Sequence, residues 1–464
     1  MKTKVNFVRG LHGMGVVIMI TYNKSRVIFD FGAPFEPLTQ IYDGTVLPRN
    51  KNRIKDALLL NKAPMIEYIY SQESLGDINL KPVEDNIYQT AIFISHCHKD
   101  HMSEIDKVDP SIPVYLHTSG LKLKQSLETI REEPYFREYS GFEYNQTISV
   151  GDIEVTPYFS DHTCIGSASF LIKTKDSTIV YSGDIRFHAL ESERAWQAVQ
   201  KMSEHEIDLL IVDSTTTSAS EFVYSENEIR QLNIPSKEVL KGMITEQKIF
   251  DDISQQLKDH QGIAVFNLYH RDIRMLEHII RIAQRFNRQA VFEPHTAYII
   301  NKLLNMSVYV MFPDNNLNFH FYNDVRENNT VICKNELLKN PDGYFIQNTY
   351  KNILELTDYD GINGIYFHLF GEPLVKGQKH YQIMKNVIEK LQWKFFSYIN
   401  LYSFSHAYPN HLAYYIQKLD PKAVVAVHSK NPEALNPVNA KHYLPKENVD
   451  YYLIDGQLIE KIED

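Results

Sequence analysis

Seven short runs of β-branched or aromatic residues follow one another between Ser25 and Ser214: "SRVIFDFG", "TAIFIS", "IPVYLH", "ISVGDIEVTPYFS", "SASFLIKT", "STIVYSGD" and "DLLIVDS". Polar or glycine-containing turns bound them, so each reads as a strand. "KTKDST" between two of the runs reads as a hairpin turn. The first 210 residues or so are therefore expected to be mostly sheet. An earlier apolar run, "VVIMI", is followed by polar residues rather than a small-residue cleavage site. It reads as a hairpin strand, not a signal peptide.

Character changes near residue 215. In "SKEVLKGMITEQKIFDDISQQLKDHQG" the residues Val239, Leu240, Met243, Phe250, Ile253 and Leu257 recur at helical spacing, with Gly262 as the expected C-cap. "IAVFNLY" then reads as a strand, "RDIRMLEHIIRIAQRFN" as a helix and "QAVFEP" as a strand. Such alternation predicts a parallel sheet covered by helices, and it continues to about residue 375. "KHYQIMKNVIEKLQ" reads as a helix, "AVVAVHS" as a strand, and "VDYYLIDGQLIEKI" as a last strand pair. The polar stretch 311–330 is expected to be a surface loop. No internal repeat is visible.

The chain of 464 residues is long enough for two to three domains' worth of core. With 43% apolar and 23% charged residues, and no run of eighteen apolar ones, it reads as a soluble globular protein without a spanning helix. Cys97, Cys164 and Cys333 are few and far apart, so no disulfide framework is implied and a reducing cytoplasm is expected. The net charge of -10 argues against passive capture of nucleic acid over the whole surface. Bound divalent ions would add positive charge that the formal count omits.

Chemistry concentrates at the ends of the strand-like runs. "HCHKDH" at 96–101 follows a buried-strand pattern. His96 and His98, two apart on extended backbone, point the same way and can reach one ion. Asp100 and His101 suit a second ion. His162 in "SDHTCIGSASF", Asp184 in "TIVYSGDIRFH" and His428 in "AVVAVHSKNPE" stand at further strand ends. Imidazole and carboxylate suit zinc, and also manganese or iron. A carboxylate such as Asp184 can bridge two cations. Cys97 is expected to point away from the ion.

In this order the motifs resemble the metallo-β-lactamase superfamily, and Asp30 in "VIFDFG" matches its early strand-end aspartate, a group that supports a ligand. The later part resembles the β-CASP branch, the nucleic-acid-cleaving members that include ribonuclease J. Asp213 in "LLIVDSTTT", His406 in "SFSHAYPNHL" and His428 match that branch's acidic residue, middle histidine and final histidine. The resemblance implies an α/β fold, an αββα sandwich with an inserted α/β β-CASP domain. It implies residues 1–214 for the first part of the sandwich, 215–375 for the insert and 376–464 for the closing part.

It further implies two divalent metal ions, zinc first. His96, His98 and His162 would hold one, Asp100, His101 and His428 the other, and Asp184 would bridge. The expected catalytic residues are Asp100, Asp184, His406, which would meet the scissile phosphate or the leaving oxygen, and Asp213, which would orient a liganding histidine. The implied activity is metal-dependent phosphodiester hydrolysis through a metal-activated water, as a cytoplasmic ribonuclease on RNA or single-stranded nucleic acid, with no membrane partner. Alternatives are a hydrolase of a small phosphodiester or a lactone, and an inactive nucleic-acid-binding protein.

One departure stands out. Where ribonuclease J-like proteins carry a glycine-serine phosphate cradle, this sequence reads "GYFIQNTYKNILEL", with Asn348, Thr349 and Lys351 in its place. Backbone amides approach a phosphate less closely past larger side chains, so action directed by a 5′-phosphate is not expected. The chain ends at 464 with little beyond the sandwich, so an added C-terminal domain is not expected either. Lys351, Arg271 and Arg274 can touch a nucleic-acid backbone, although two arginines at a helix start more often form a solvated face.

Overall fold

The computed structural model describes residues 2–34, 46–47, 49–133, 137–218, 234–239, 243–314, 318–374, 376–399 and 405–462. Among these, the strands form three sheets. The first has eight strands, and its central pairs are Lys4–Arg9 with Val17–Tyr22, then Ser25–Phe29, Gln89–Phe93 and Val114–His117. Asp450–Ile454 pairs antiparallel with Lys4–Arg9, so the end of the chain closes onto its beginning. The second sheet has seven strands and includes Ile153–Phe159, Ala168–Lys173, Thr178–Tyr181, Leu209–Asp213 and Ala423–Val427.

Alternation builds the layer between these two sheets. Val5, Phe7, Ile18, Ile20, Phe29 and Phe93 of the first sheet meet Phe170, Ile172, Tyr181, Ile211 and Val425 of the second, in one buried cluster. Phe29 and Phe170 lie 5.1 Å apart between ring centroids. Helix Thr118–Thr129 covers the outer face of the first sheet. Helices Ser192–Met202 and Pro409–Leu419 cover that of the second, where Trp196 stacks on Phe187 at 3.8 Å. The architecture is thus an αββα sandwich.

The third sheet is parallel throughout, in the order Thr330–Val331, Tyr309–Val310, Gln289–Phe292, Tyr344–Gln347, Ile263–Leu268, Gly364–Leu369, Lys394–Ser397. Both of its faces are buried, as a parallel sheet requires. This unit is inserted between Leu209–Asp213 and Ala423–Val427, neighbouring strands of the second sheet. Its helix Pro294–Leu304 packs against Thr118–Thr129, which joins it to the sandwich.

Several expectations need correction. The third sheet takes Lys394–Ser397 as an edge strand, so its chain runs past the boundary expected at 375. The helix expected from 236 starts at Glu246, where the Thr245 hydroxyl accepts from the Lys248 amide; Leu240 lies outside the described residues. Gly262 does not cap that helix, which ends at Lys258. It sits at φ +122 just before the next strand, where a Cβ would meet the Asn363 carbonyl oxygen at 2.1 Å, so the close approach excludes a side chain. Helices Thr118–Thr129 and Ser192–Met202 interrupt the region read as mostly strand. The stretch 311–330 contains helix Tyr322–Asn328, which buries Tyr322 and Val325; 315–317 lie outside the described residues. No helix among the described residues is long and apolar enough to cross a membrane.

Candidate metal centre

Most site residues stand at or just beyond the end of a strand. Gln89–Phe93 leads to His96, Ile153–Phe159 to His162, Thr178–Tyr181 to Asp184, and Ala423–Val427 to His428, while Asp213 is the last residue of Leu209–Asp213. His98 is still extended, and the chain then turns into the single helical turn Lys99–Met102, which aims Asp100 and His101 differently from the two preceding imidazoles. Gly32 permits this turn to sit against the first sheet, because a Cβ there would meet the Asp100 carbonyl oxygen at 1.6 Å. Asp30 and His428 hold φ of +58 and +57, left-handed values that side chains rarely adopt and that cluster at functional sites.

Asp184 stands at the centre. Its Oδ2 lies 3.7 Å from His96 Nε2 and 3.5 Å from His162 Nε2, and its Oδ1 lies 3.3 Å from His101 Nε2. One carboxylate oxygen therefore faces each half of the cluster. His98 Nδ1 comes to 3.1 Å from His162 Nε2. On the other side His428 Nε2 meets Asp100 Oδ2 at 2.9 Å, and His101 Nε2 lies 3.6 Å from the same oxygen. The atoms fall into overlapping groups able to hold an ion: His96, His98, His162 and Asp184; Asp100, His101 and His428; and Asp184, Asp213, His406 and His428.

Supporting hydrogen bonds set the imidazoles. Asp30 Oδ2 accepts from His101 Nδ1 at 2.8 Å, and its carboxylate also takes the Ser95 amide and hydroxyl. The Ser95 hydroxyl lies 3.0 Å from His96 Nδ1. His162 Nδ1 donates to the Ser405 carbonyl at 2.7 Å, and Thr215 Oγ1 lies 2.7 Å from His428 Nδ1. Each bond leaves the opposite nitrogen turned to the centre. Ser95 and Thr215 were not singled out from sequence, although both lie in the quoted motifs beside a site residue.

Asp213 bonds His406 directly and reaches His428 through Thr215. Its Oδ2 accepts from His406 Nδ1 at 2.8 Å, and its Oδ1 accepts from the Thr215 hydroxyl at 2.7 Å.

Burial shapes the charges. It disfavours the cations of His96 and His162 and holds both well below the usual imidazole range; it brings His98 down to about 4. Burial also opposes ionisation of Asp184, yet His101 and His428 overcome it and hold the carboxyl well below the usual range. Burial opposes the His428 cation too, but Asp184, Asp100 and Asp213 push it up to about 9. Divalent cations take neutral imidazole and ionised carboxylate, and His96, His98, His162, Asp100 and Asp184 supply these. His96 Nε2, His98 Nε2 and His101 Nε2 are buried without any hydrogen-bond partner. Buried nitrogens rarely go unsatisfied, so this donor set fits divalent ions.

The remaining candidates lie elsewhere. Cys97 turns away and its thiol donates to the Gly120 carbonyl at 3.3 Å; Cys97 and Cys164 are buried free thiols, and Cys333 is an exposed one. Arg271 and Arg274 do not form a solvated face: Arg271 pairs with Glu133, and Arg274 with Asp161 and Glu191. Lys351 is exposed. At the altered cradle the Thr349 amide and hydroxyl both donate to the Glu293 carboxylate, at 2.7 and 2.9 Å, so those donors are already engaged.

Comparison with known proteins adds a family. A model described as a beta-lactamase superfamily domain matches residues 76–247. Ribonuclease J of Pyrococcus abyssi is 22% identical over 264 residues, 54% of each chain. Protein artemis of Gallus gallus is 27% identical over 147 residues, 28% of this chain and 20% of that one. Both relatives are β-CASP members of the metallo-β-lactamase superfamily. Residues 76–247 thus carry a beta-lactamase superfamily domain. A crystal structure of a protein of unknown function from Enterococcus faecalis shares this overall fold, with a TM-score of 0.77 and 24% identity, covering 98% of this chain and 100% of that one. The matches span about half of ribonuclease J and a fifth of artemis, 54% and 20% of their lengths. Metallo-β-lactamase members are metal-dependent hydrolases, with nucleases among the homologues.

Proposed function

We propose that the protein is a β-CASP-type nuclease that hydrolyses phosphodiester bonds in RNA, using a pair of divalent ions, zinc first and manganese or iron next. The observation that carries this reading is the placement of Asp184, with one oxygen toward His96 and His162 and the other toward His101. The relatedness to ribonuclease J and artemis supports nucleic acid as the substrate class.

His96, His98 and His162 would hold one ion, Asp100, His101 and His428 the other, and Asp184 would touch both. Bound there, the ions would supply Lewis acidity and a water of lowered pKa. The chain's own groups do the rest. Asp30, Ser95, Ser405 and Thr215 fix the ligand imidazoles. His98 and Asp100 are the part-exposed members of the cluster while the others are buried, so substrate approaches on their side. Asp213 holds His406 by its Nδ1–H, and the ring would pass a proton to the leaving oxygen. Because Glu293 occupies the Thr349 donors, cleavage would not depend on a 5′-phosphate.

A second reading, hydrolysis of a small phosphodiester or a lactone at the same centre, draws on the net charge of -10 and on the internal pairing of Arg271 and Arg274. One experiment separates the two. The purified protein is incubated with Mn²⁺ or Zn²⁺ and end-labelled RNA and DNA, single- and double-stranded, and product lengths are read. Metal-dependent RNA fragments, with rates that fall steeply as salt rises, are expected. Intact nucleic acid alongside hydrolysis of a p-nitrophenyl phosphodiester would favour the small substrate, and no hydrolysis of either would refute both.

A further inference from the structure

Two arginines of the inserted unit reach back to the main chain of the sandwich's ligand loops. Arg271 lies in the turn after strand Ile263–Leu268, and Arg274 in the first turn of helix Ile273–Arg285, which Asp272 caps by accepting from the Met275 amide. Arg271 is 3% exposed, and its Nη1 donates to the Cys97 carbonyl at 3.2 Å, in the peptide that leads into His98. Arg274 Nη2 donates to the carbonyl of His162 itself. His98 and His162 are the pair whose ring nitrogens approach to 3.1 Å.

Both guanidinium groups are anchored. Arg271 pairs with Glu133 and, at 3.8 Å, with Glu132. Arg274 pairs at 2.7 Å with Asp161, the residue before His162, and at 2.7 Å with Glu191. Asp161 also binds Arg186 Nε at 3.2 Å, and Arg186 reaches Glu246 of the insert at 3.5 Å, all three side chains being 0% exposed. Arg186 stands two residues after Asp184. A planar guanidinium can hold a carboxylate and a carbonyl together, which an ammonium on a flexible stem does poorly.

We propose that Arg271 and Arg274 are positioning residues of the metal centre: from the inserted unit they fix the carbonyls beside His98 and of His162, so that these two imidazoles converge. The inference rests on reading the cluster as a metal centre, and it makes the inserted unit part of that centre. Removing a partner that orients metal ligands typically weakens metal binding by about 10–100-fold. Because coupling is reciprocal, loading the metal must also steady the segment around Arg271 and Arg274.

The test uses full-length protein stripped by a chelator and titrated with Zn²⁺ against a fluorescent competitor. Arg271→Lys and Arg274→Lys keep the positive charge beside Glu133 and Asp161 and lose the carbonyl bond. Each is expected to weaken Zn²⁺ binding by about tenfold or more and to alter the visible spectrum of the Co²⁺ form, with the melting temperature of the metal-free chain unchanged. Arg281→Ala, exposed on the same helix, should bind like the wild type. Should a lysine variant not fold, the wild type still decides: Zn²⁺ must slow amide exchange at 269–275. Unaltered affinity in both variants, or unaltered exchange, overturns the proposal while leaving the proposed function standing. A wild type that binds no divalent ion removes both.

Discussion

His406 donates its Nδ1 hydrogen to Asp213 Oδ2 across 2.8 Å, although the two residues are separated by the whole inserted unit. The carboxylate fixes the imidazole's orientation and tautomer, and this pair adjoins the cluster around Asp184.

If His406 passes a proton to the leaving oxygen, its loss must depend on the leaving group. His406→Ala is expected to lower kcat on RNA by about 10²–10⁴-fold. The loss should be much smaller on a p-nitrophenyl phosphodiester, whose leaving group needs no proton. Asp213→Asn should follow the same pattern, and the double variant should be no worse than His406→Ala. Equal losses on both substrates would mean that His406 acts in some other way.

Gly32→Ala is expected to disrupt the centre from outside it. The added Cβ would fall on the Asp100 carbonyl, backbone that cannot rotate away. The turn carrying Asp100 and His101 must shift, at a cost of about 1–3 kcal/mol or more. Urea unfolding combined with metal analysis should show a less stable protein that holds less metal. A variant with wild-type stability and metal content would contradict this packing.

Asp184 and the six side chains gathered around it were legible in the sequence because each stands beyond the end of an apolar strand, where local pattern is strongest. The alternation after 245 likewise announced a parallel sheet. What escaped was long-range. Arg271 and Arg274 looked solvated because their partners Glu133 and Asp161 lie more than a hundred residues upstream. Glu293 gave no sign that it would take the Thr349 donors. The end of the insert was misplaced because Lys394–Ser397 is an edge strand with one buried neighbour, and its pattern does not tell which sheet it joins.

Acid should weaken the inserted unit through His368, which is fully buried in strand Gly364–Leu369 with Nε2 2.7 Å from the Gly371 carbonyl. Burial brings its pKa down to about 4. The unfolded chain takes up the proton near pH 6.5, so this contribution to stability is complete above about 6.5 and fades as pH falls toward 4, by up to about 1.4 kcal/mol per unit. Between pH 6.5 and 5 the wild type should lose up to about 2 kcal/mol more than His368→Gln, measured by urea unfolding. Parallel pH profiles would rule out this source.

The most direct test compares the wild type with Asp184→Asn, for metal content by mass spectrometry and for hydrolysis of labelled RNA, in protein shown to be folded by circular dichroism. The account predicts about two divalent ions per wild-type chain. It predicts a variant that retains the fold but loses metal and about 10³-fold or more of its activity. Asp184→Asn protein that cleaves RNA at the wild-type rate with its metal intact would contradict it.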